Sequence, residues 1–438
     1  MSMPPSEMQN YTRILEEELI PAMGCTEPIA IAYAAAKAKS YLPENVESYE
    51  VRCSGNIIKN VKGVTVPNSG GQKGIPAAAA LGIVGGNADS VLEVIEGVTD
   101  KDRQSCKELV SRNVCDVELV KGVPGLYIDV CLRGKHHSSE VVLSGTHTNI
   151  IKIAQDDKIL FDEKTTDSTA TGKGDRSKMT FHGILEYANT VPISAVQDLL
   201  DKQIEMNSAI SEEGLNHPWG AEVGRSIREI YGDCVEARAV AAAAAGSDAR
   251  MSGCPKPVVI NSGSGNQGIT VSMPVIVYAK EWKLSPEIRY RALIVSNLIS
   301  IYIKHYIGPL SAFCGAVSAS CGSGAAITYM AGGDNAAIAR TTTNMLGNVS
   351  GIVCDGAKPS CAAKIASSLQ AAILAHKMAM KDRSFKGGEG LIEKDIEETI
   401  KKVLCQMLGC PTTKSPFRNS ARHLPSSFFA NSHRESGS

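Results

Sequence analysis

Four cysteines between Cys314 and Cys361 constrain this chain more than any other feature. They form two matched pairs, Cys314/Cys321 and Cys354/Cys361, each spaced by seven residues, with the pairs set forty residues apart. The segments around them, SAFCGAVSASCGSGAA and GIVCDGAKPSCAAK, are rich in Gly, Ala and Ser and poor in charge. Thiolates are ligands for soft metals, and small neighbours let backbone N–H groups approach a bulky inorganic cluster. An unpaired cysteine is equally a small buried hydrophobe. None of the spacings is CxxC, so no standard zinc template applies. Spacing alone leaves both readings open.

The rest of the composition narrows the class. A chain of 438 residues fits two or three domains, and 43% hydrophobic content is enough for a large core. Aromatic residues make up only 5%, against 40 glycines and repeated alanine runs, which implies close packing through small side chains. Lys and Arg total 45 against 46 Asp and Glu, so no electrostatic footprint for nucleic acid or an anionic membrane exists. The first residues, MSMPPSEMQNYTRILEEE, lack the apolar stretch of a secretory signal, and no apolar run is long enough to span a bilayer. Thirteen cysteines, an odd number, then point to free thiols and metal ligation in a reducing cytoplasm rather than to a disulfide framework.

Along the chain, Met8, Tyr11, Ile14, Leu15 and Leu19 recur at helical spacing until Pro21 ends the run. In MGCTEPIAIAYAAAKA, Thr26 is expected to N-cap a helix with Pro28 in its first turn. Cys25 then stands just before a helix N-terminus, a place that lowers a thiol's pKa; the plainer alternative is a buried turn cysteine. Residues 46–67 read as strands with a turn near Ser54–Gly55. The loop NSGGQKG, starting at Asn68, either cradles an anion through backbone N–H groups or is a connector.

Amphipathic helices are expected at 89–96 and 102–110, and alternating strands within 115–152. His147, in SGTHTNI, falls at a strand end, as a structural histidine or as a substrate or proton-transfer group. Residues 162–177 form a polar loop. Helical patterns follow at 180–187, 193–212, 217–250 with Gly246 as a stop, 286–307 and 362–381. The stretch GSGNQG carries Asn266 and Gln267 and does not fit a dinucleotide-binding fingerprint.

The resulting expectation is an α+β fold. N-terminal helices (1–44) lead into a mixed strand-containing region (45–165) packed on a larger helical, cysteine-bearing region (180–410). Residues 411–438 read as a disordered Ser-, Pro- and Arg-rich tail.

Taken together, MGCTEP, SGNIIKN with VPNSGG, LSGTHTN, GSGNQG, LSAFCGA and GIVCDGAKPSCAAKIASS resemble the L-cysteine desulfidase family, which is related to the α-type domain of iron–sulfur L-serine dehydratases. The resemblance covers roughly residues 8–405. It implies a [4Fe–4S] cluster held by three cysteines, which fall on Cys314, Cys354 and Cys361, and a proton-accepting cysteine, which falls on Cys25. Cys321 is left over as structural, although its forty-residue interval to Cys361 makes it the competitor of Cys314. One departure is the tail, where the family continues with an ordered segment.

The implied reaction is α,β-elimination of L-cysteine to hydrogen sulfide, pyruvate and ammonia. Asn56, Asn68, Asn266, Gln267 and His147 are the candidates for contacting the amino-acid substrate. A homo-oligomer is compatible with this reading. The alternatives are an L-serine dehydratase with the same site and a non-catalytic iron–sulfur redox sensor. A pyridoxal-phosphate enzyme would need a Schiff-base lysine beside a phosphate cup, and no lysine here has that context.

Overall fold

A computed structural model describes residues 3–163, 174–307 and 313–407. The N-terminal part comprises α1 (Pro5–Glu18), a short strand β1 (Pro21–Met23) and α2 (Thr26–Tyr41). The middle part comprises β2 (Ser48–Cys53), α3 (Gly55–Val61), α4 (Gly74–Gly85), α5 (Asp100–Ser111), β3 (Cys115–Leu119), β4 (Tyr127–Arg133), β5 (Ser138–Ser144), β6 (Ile150–Gln155) and β7 (Lys158–Asp162). The remainder is helical apart from one short strand. It runs α6 (Phe181–Thr190), α7 (Gln197–Asn216), α8 (Val223–Tyr231), α9 (Val235–Met251), β8 (Pro257–Val259), α10 (Gly265–Glu281) and α11 (Pro286–Ile307). The last elements are α12 (Ala316–Met330), α13 (Asn335–Asn348), α14 (Cys361–Ala379) and α15 (Ile396–Met407). This is the expected α+β class. Among the described residues, no helix is long and apolar enough to cross a membrane.

The six-stranded sheet has the order β3-β2-β4-β5-β6-β7. Only β2 and β3 pair in parallel, and the helices α3 to α5 supply the crossover such a pair requires. Alternation puts Tyr49, Val51, Ile128, Val130, Val141 and Leu143 in the core, where α2 covers the sheet. The opposite face carries a ladder of charges. Arg52 pairs with Asp129 at 2.7 Å and with Glu140 at 2.8 Å, and Lys152 reaches Glu140 at 2.6 Å. These cross-strand pairs fix register where no apolar layer does so.

The sheet and the helical part are linked through β1 and β8, which pair antiparallel with Pro21 opposite Val259 and Met23 opposite Pro257. That ladder seats the start of α2 beside the start of α10. Around it, the helices approach on small residues. On α12, a Cβ at Gly322 would lie 2.2 Å from the Ser296 carbonyl oxygen of α11. On α4, a Cβ at Gly82 would lie 2.2 Å from the Ala32 carbonyl oxygen of α2.

Four local expectations are corrected. Residues 55–61 form a helix instead of a strand, because Ile57 and Val61, one turn apart, both bury in the core and tertiary burial overrides β propensity. Residues 88–93 are a 3₁₀ turn rather than an amphipathic α-helix. Gly246 does not stop α9, which runs to Met251; its bare Cα lets Ile269 of α10 and Ser211 of α7 approach. Cys25, not Thr26, occupies the N-cap of α2. The expected loop at 162–177 falls partly, and the expected tail wholly, outside the described residues.

Because α12 carries the first cysteine segment, its seating on α11 matters for everything downstream. Gly322→Ala should lower stability by about 1–3 kcal/mol through overpacking. The check is the urea midpoint of unfolding, and an unchanged midpoint would mean that the two helices part without cost.

Candidate active site

The ends of several elements open into one cavity of ≈ 660 Å³. Its first wall is the start of α2. Gly24 adopts a left-handed φ of +54°, and a Cβ there would overlap Pro67, so the MGCTEP and VPNSGG segments lock together only through glycine. Cys25 follows, buried, with its Sγ donating to Glu27 Oε2 at 3.3 Å. Asn60 of α3 donates to Glu27 Oε1 at 2.8 Å, and Thr26 Oγ1 donates to the Gly263 carbonyl at 2.9 Å.

The electrostatics of this wall differ from the sequence expectation. Burial pushes the Cys25 thiol well above its ordinary value and the Glu27 carboxylate adds to that, while Arg250 opposes. The lowering expected from the helix N-terminus does not prevail; a half-charge of helix dipole is outweighed by full burial and a carboxylate two residues on. Burial also works against Glu27, but His147, its own backbone N–H and the Cys25 and Asn60 hydrogen bonds hold its carboxylate below the usual range. Burial holds His147 below its ordinary value, with Glu27 pulling the other way. His147 sits in the β5–β6 turn, close against Gly263, and its Nε2 is buried without a partner.

The second wall is the start of α10. Ser264 caps the helix by accepting from the Gln267 N–H. Gln267 packs so tightly on Gly315 that a Cβ there would lie 2.3 Å from its Cδ. Asn266 accepts from Arg250 Nη1 at 3.1 Å.

The floor holds three cysteines. Phe313 bridges Val353, and the Cys314 N–H donates to the Ile352 carbonyl at 2.7 Å, which sets the two cysteine segments side by side. Cys314 lies just before α12, and Cys361 is the first residue of α14. Gly356, at φ +99°, lets the CDGAK loop press on the Lys59 carbonyl. Asp355 ties that loop down through Lys358 and Lys364. Cys314, Cys354 and Cys361 all line the cavity. Burial pushes the Cys314 thiol up to about 11, and the charges of Cys361 and Cys354 add to this, so the three sulfurs share one electrostatic neighbourhood.

Among the described residues, no group of three His, Cys, Asp or Glu gathers around the position of a single metal ion. A cubane cluster binds each cysteine to a different iron, so its ligands stand around a larger body. Three thiols around one cavity, two of them at helix N-termini, are a donor set of that kind. Cys321 is fully buried within α12 and is not among the residues lining the cavity.

Of the residues singled out in the sequence, the cavity brings together Cys25, His147, Asn266, Gln267, Cys314, Cys354 and Cys361. It does not include Asn56 or Asn68. Asn56 lies on α3, and Asn68 is occupied by the Ile95 and Glu96 carbonyls, its own carbonyl accepting from Arg103 Nε. Sequence reasoning missed Glu27, Asn60, Arg250 and Lys304, all of which line the cavity. Reading α3 as a helix would have exchanged Asn56 for Asn60, which lies on its buried face. Lys304 of α11 is buried, and burial lowers it to about 8 against the charges of Cys314 and Cys354.

The family model of the serine dehydratase alpha chain matches residues 89–409, most of the chain and nearly all of the helical part. This chain belongs to the serine dehydratase alpha-chain family. Relatives along nearly the whole chain include a UPF0597 protein of Finegoldia magna, 47% identical over 90% of this chain and 95% of the relative. A UPF0597 protein of Lachnoclostridium phytofermentans is 49% identical over 89% of this chain and 94% of its own length. One of Desulfitobacterium hafniense is also 49% identical, over 90% and 92% respectively.

Cys25 should react slowly with iodoacetamide at neutral pH compared with the exposed Cys234. Alkylation needs the thiolate, so its rate should climb with pH. Glu27→Gln removes the carboxylate that, after burial, most raises the thiol and should speed Cys25 alkylation several-fold at fixed pH. Peptide mapping by mass spectrometry reads both sites; an unchanged Cys25 rate would mean that burial alone controls it.

Proposed function

We propose that this chain is an L-cysteine desulfidase, an iron–sulfur-dependent lyase acting on a small amino acid in the cytoplasm. The observation that carries this reading is the gathering around one cavity of Cys314, Cys354 and Cys361 with Cys25, Glu27 and His147. L-cysteine would lose its α-proton and its β-thiol, giving hydrogen sulfide and aminoacrylate. Water then converts aminoacrylate to pyruvate and ammonia.

A [4Fe–4S] cluster held by Cys314, Cys354 and Cys361 would leave one iron without a protein ligand, supplying a Lewis acid for the departing sulfur. Cys25 removes the α-proton. Its thiol proton points to Glu27 Oε2, and that hydrogen bond orients the sulfur; the thiol must ionise before it can act as the base. Asn60 holds Glu27 in place. His147, kept neutral, has an unpartnered Nε2 available to the substrate's ammonium or carboxylate, and Asn266 and Gln267 border the same space.

The family's own description favours a second reading, L-serine dehydratase, in which hydroxide leaves in place of sulfide. Anaerobically prepared protein supplied with each amino acid separates the two. Sulfide with pyruvate from L-cysteine, at a kcat/KM at least about tenfold above that for L-serine, is expected; the reverse ratio would assign the dehydratase.

Serine at Cys314, Cys354 or Cys361 should strip iron and abolish activity, while Cys321→Ser should keep most iron, as measured by metal analysis and visible absorption. If Cys321→Ser loses the cluster and Cys314→Ser keeps it, the first ligand is Cys321. Cys25 packs with Cys361, Val64 and Met251, so its role needs its own check. Cys25→Ser should retain the visible absorption but lose both elimination and exchange of the α-proton with deuterium from solvent. Loss of the absorption would make Cys25 a ligand.

A further inference from the structure

We infer that Arg250 is the group that holds the α-carboxylate of the substrate in this cavity; the inference rests on the amino-acid lyase reading above. Arg250 lies at the end of α9 and is only 3% exposed. Among the described residues its one hydrogen bond goes to Asn266 Oδ1, no carboxylate pairs with it, and its Nε is buried without a partner. A guanidinium has several N–H donors in a planar fork, and burying that charge unpaired is unfavourable. A site that tolerates it is one in which an anion arrives from outside.

The surroundings are built for this side chain. A Cβ at residue 265 would lie 2.3 Å from Arg250 Nε and 2.7 Å from Cζ, so glycine at the first position of α10 is what leaves room for the guanidinium. Asn266, the next residue, then grips one end of the fork and fixes its plane. A planar fork oriented in this way matches a carboxylate through two parallel hydrogen bonds.

The position also fits the reaction geometry. The charge of Arg250 reaches the thiols of both Cys25 and Cys361. In an α-amino acid the carboxylate is bonded to the same Cα that gives up its proton. The anchor for the carboxylate therefore belongs beside the proton-accepting group, and the leaving group one bond further on. Lys304, the other buried cation of the cavity, faces Cys314 and Cys354 instead. It offers a point charge rather than a fork.

The test is calorimetric titration of the anaerobically purified holoprotein with L-alanine, which has no leaving group, and with L-alaninamide, which lacks the carboxylate. The parent should bind L-alanine at least about tenfold more tightly than the amide. R250Q should lose about tenfold or more of its L-alanine affinity, leave its amide affinity unchanged, and so lose the preference. R250K, which keeps the charge without the fork, should fall between. Visible absorption and thermal midpoint matching the parent confirm that these variants are folded and loaded.

An R250Q protein that binds L-alanine like the parent would overturn the assignment, as would loss of that affinity in Lys304→Met alone. If the parent eliminates neither L-cysteine nor L-serine yet shows Arg250-dependent preference for L-alanine, the lyase reading fails and the carboxylate site stands. If the parent is active and its L-alanine binding does not depend on Arg250, the lyase reading stands and the carboxylate site fails.

Discussion

The pairing of two three-residue strands, β1 and β8, is the interaction on which the cavity depends. It joins Pro21–Met23 to Pro257–Val259 and thereby sets the N-terminus of α2 opposite the N-terminus of α10. Thr26 then clasps the Gly263 carbonyl, and Gly24 folds under Pro67. So short a ladder contributes little stability by itself. It holds because both strands lie in the core: Ala22, Met23, Val258 and Val259 are buried.

A second constraint is the number of helix ends that meet there. The starts of α2, α10, α12 and α14 all border the cavity, presenting backbone N–H groups that no helix can satisfy internally. That concentration of donors, with Arg250 and Lys304 buried among them, sets positive groups beside the cysteines, although Glu17, Glu18 and Glu27 also line the cavity. It is an environment suited to sulfides, thiolates and carboxylates. Glu27, the buried carboxylate beside Cys25, is held there by hydrogen bonds from Cys25 and Asn60.

Much of the secondary structure is legible in the sequence because periodicity reports burial directly. The span 286–307 reads as a helix and is one, since its apolar residues follow one continuous buried rod. The strands between 115 and 152 read correctly because one face of the sheet is wet and charged. Sequence reading fails where packing overrides local preference. The Ile-rich start of SGNIIKN has the look of a strand, and Gly246 that of a stop, although it is a contact point between helices. The helix-end expectation for Cys25 fails because sequence carries the dipole but not the burial or the carboxylate placed beside the thiol.

The sequence by itself determined the chemical repertoire of this protein. Motif order and the paired cysteine spacings identified which thiols to consider, and the balance of charge carried no excess of basic residues that would point to a polyanionic partner. Tertiary structure decided which of those residues share a space. Cys321 and Cys314 are equivalent by spacing, yet two turns of helix place one in solid core and the other at the cavity floor. Asn56 and Asn60 lie on one short helix, and only the direction in which it packs makes Asn60 the partner of Glu27. The charges that define the cavity, Arg250 and Lys304, come from ordinary helical stretches. Their significance arises from burial without a counter-charge, a property of the assembled fold that no local pattern encodes.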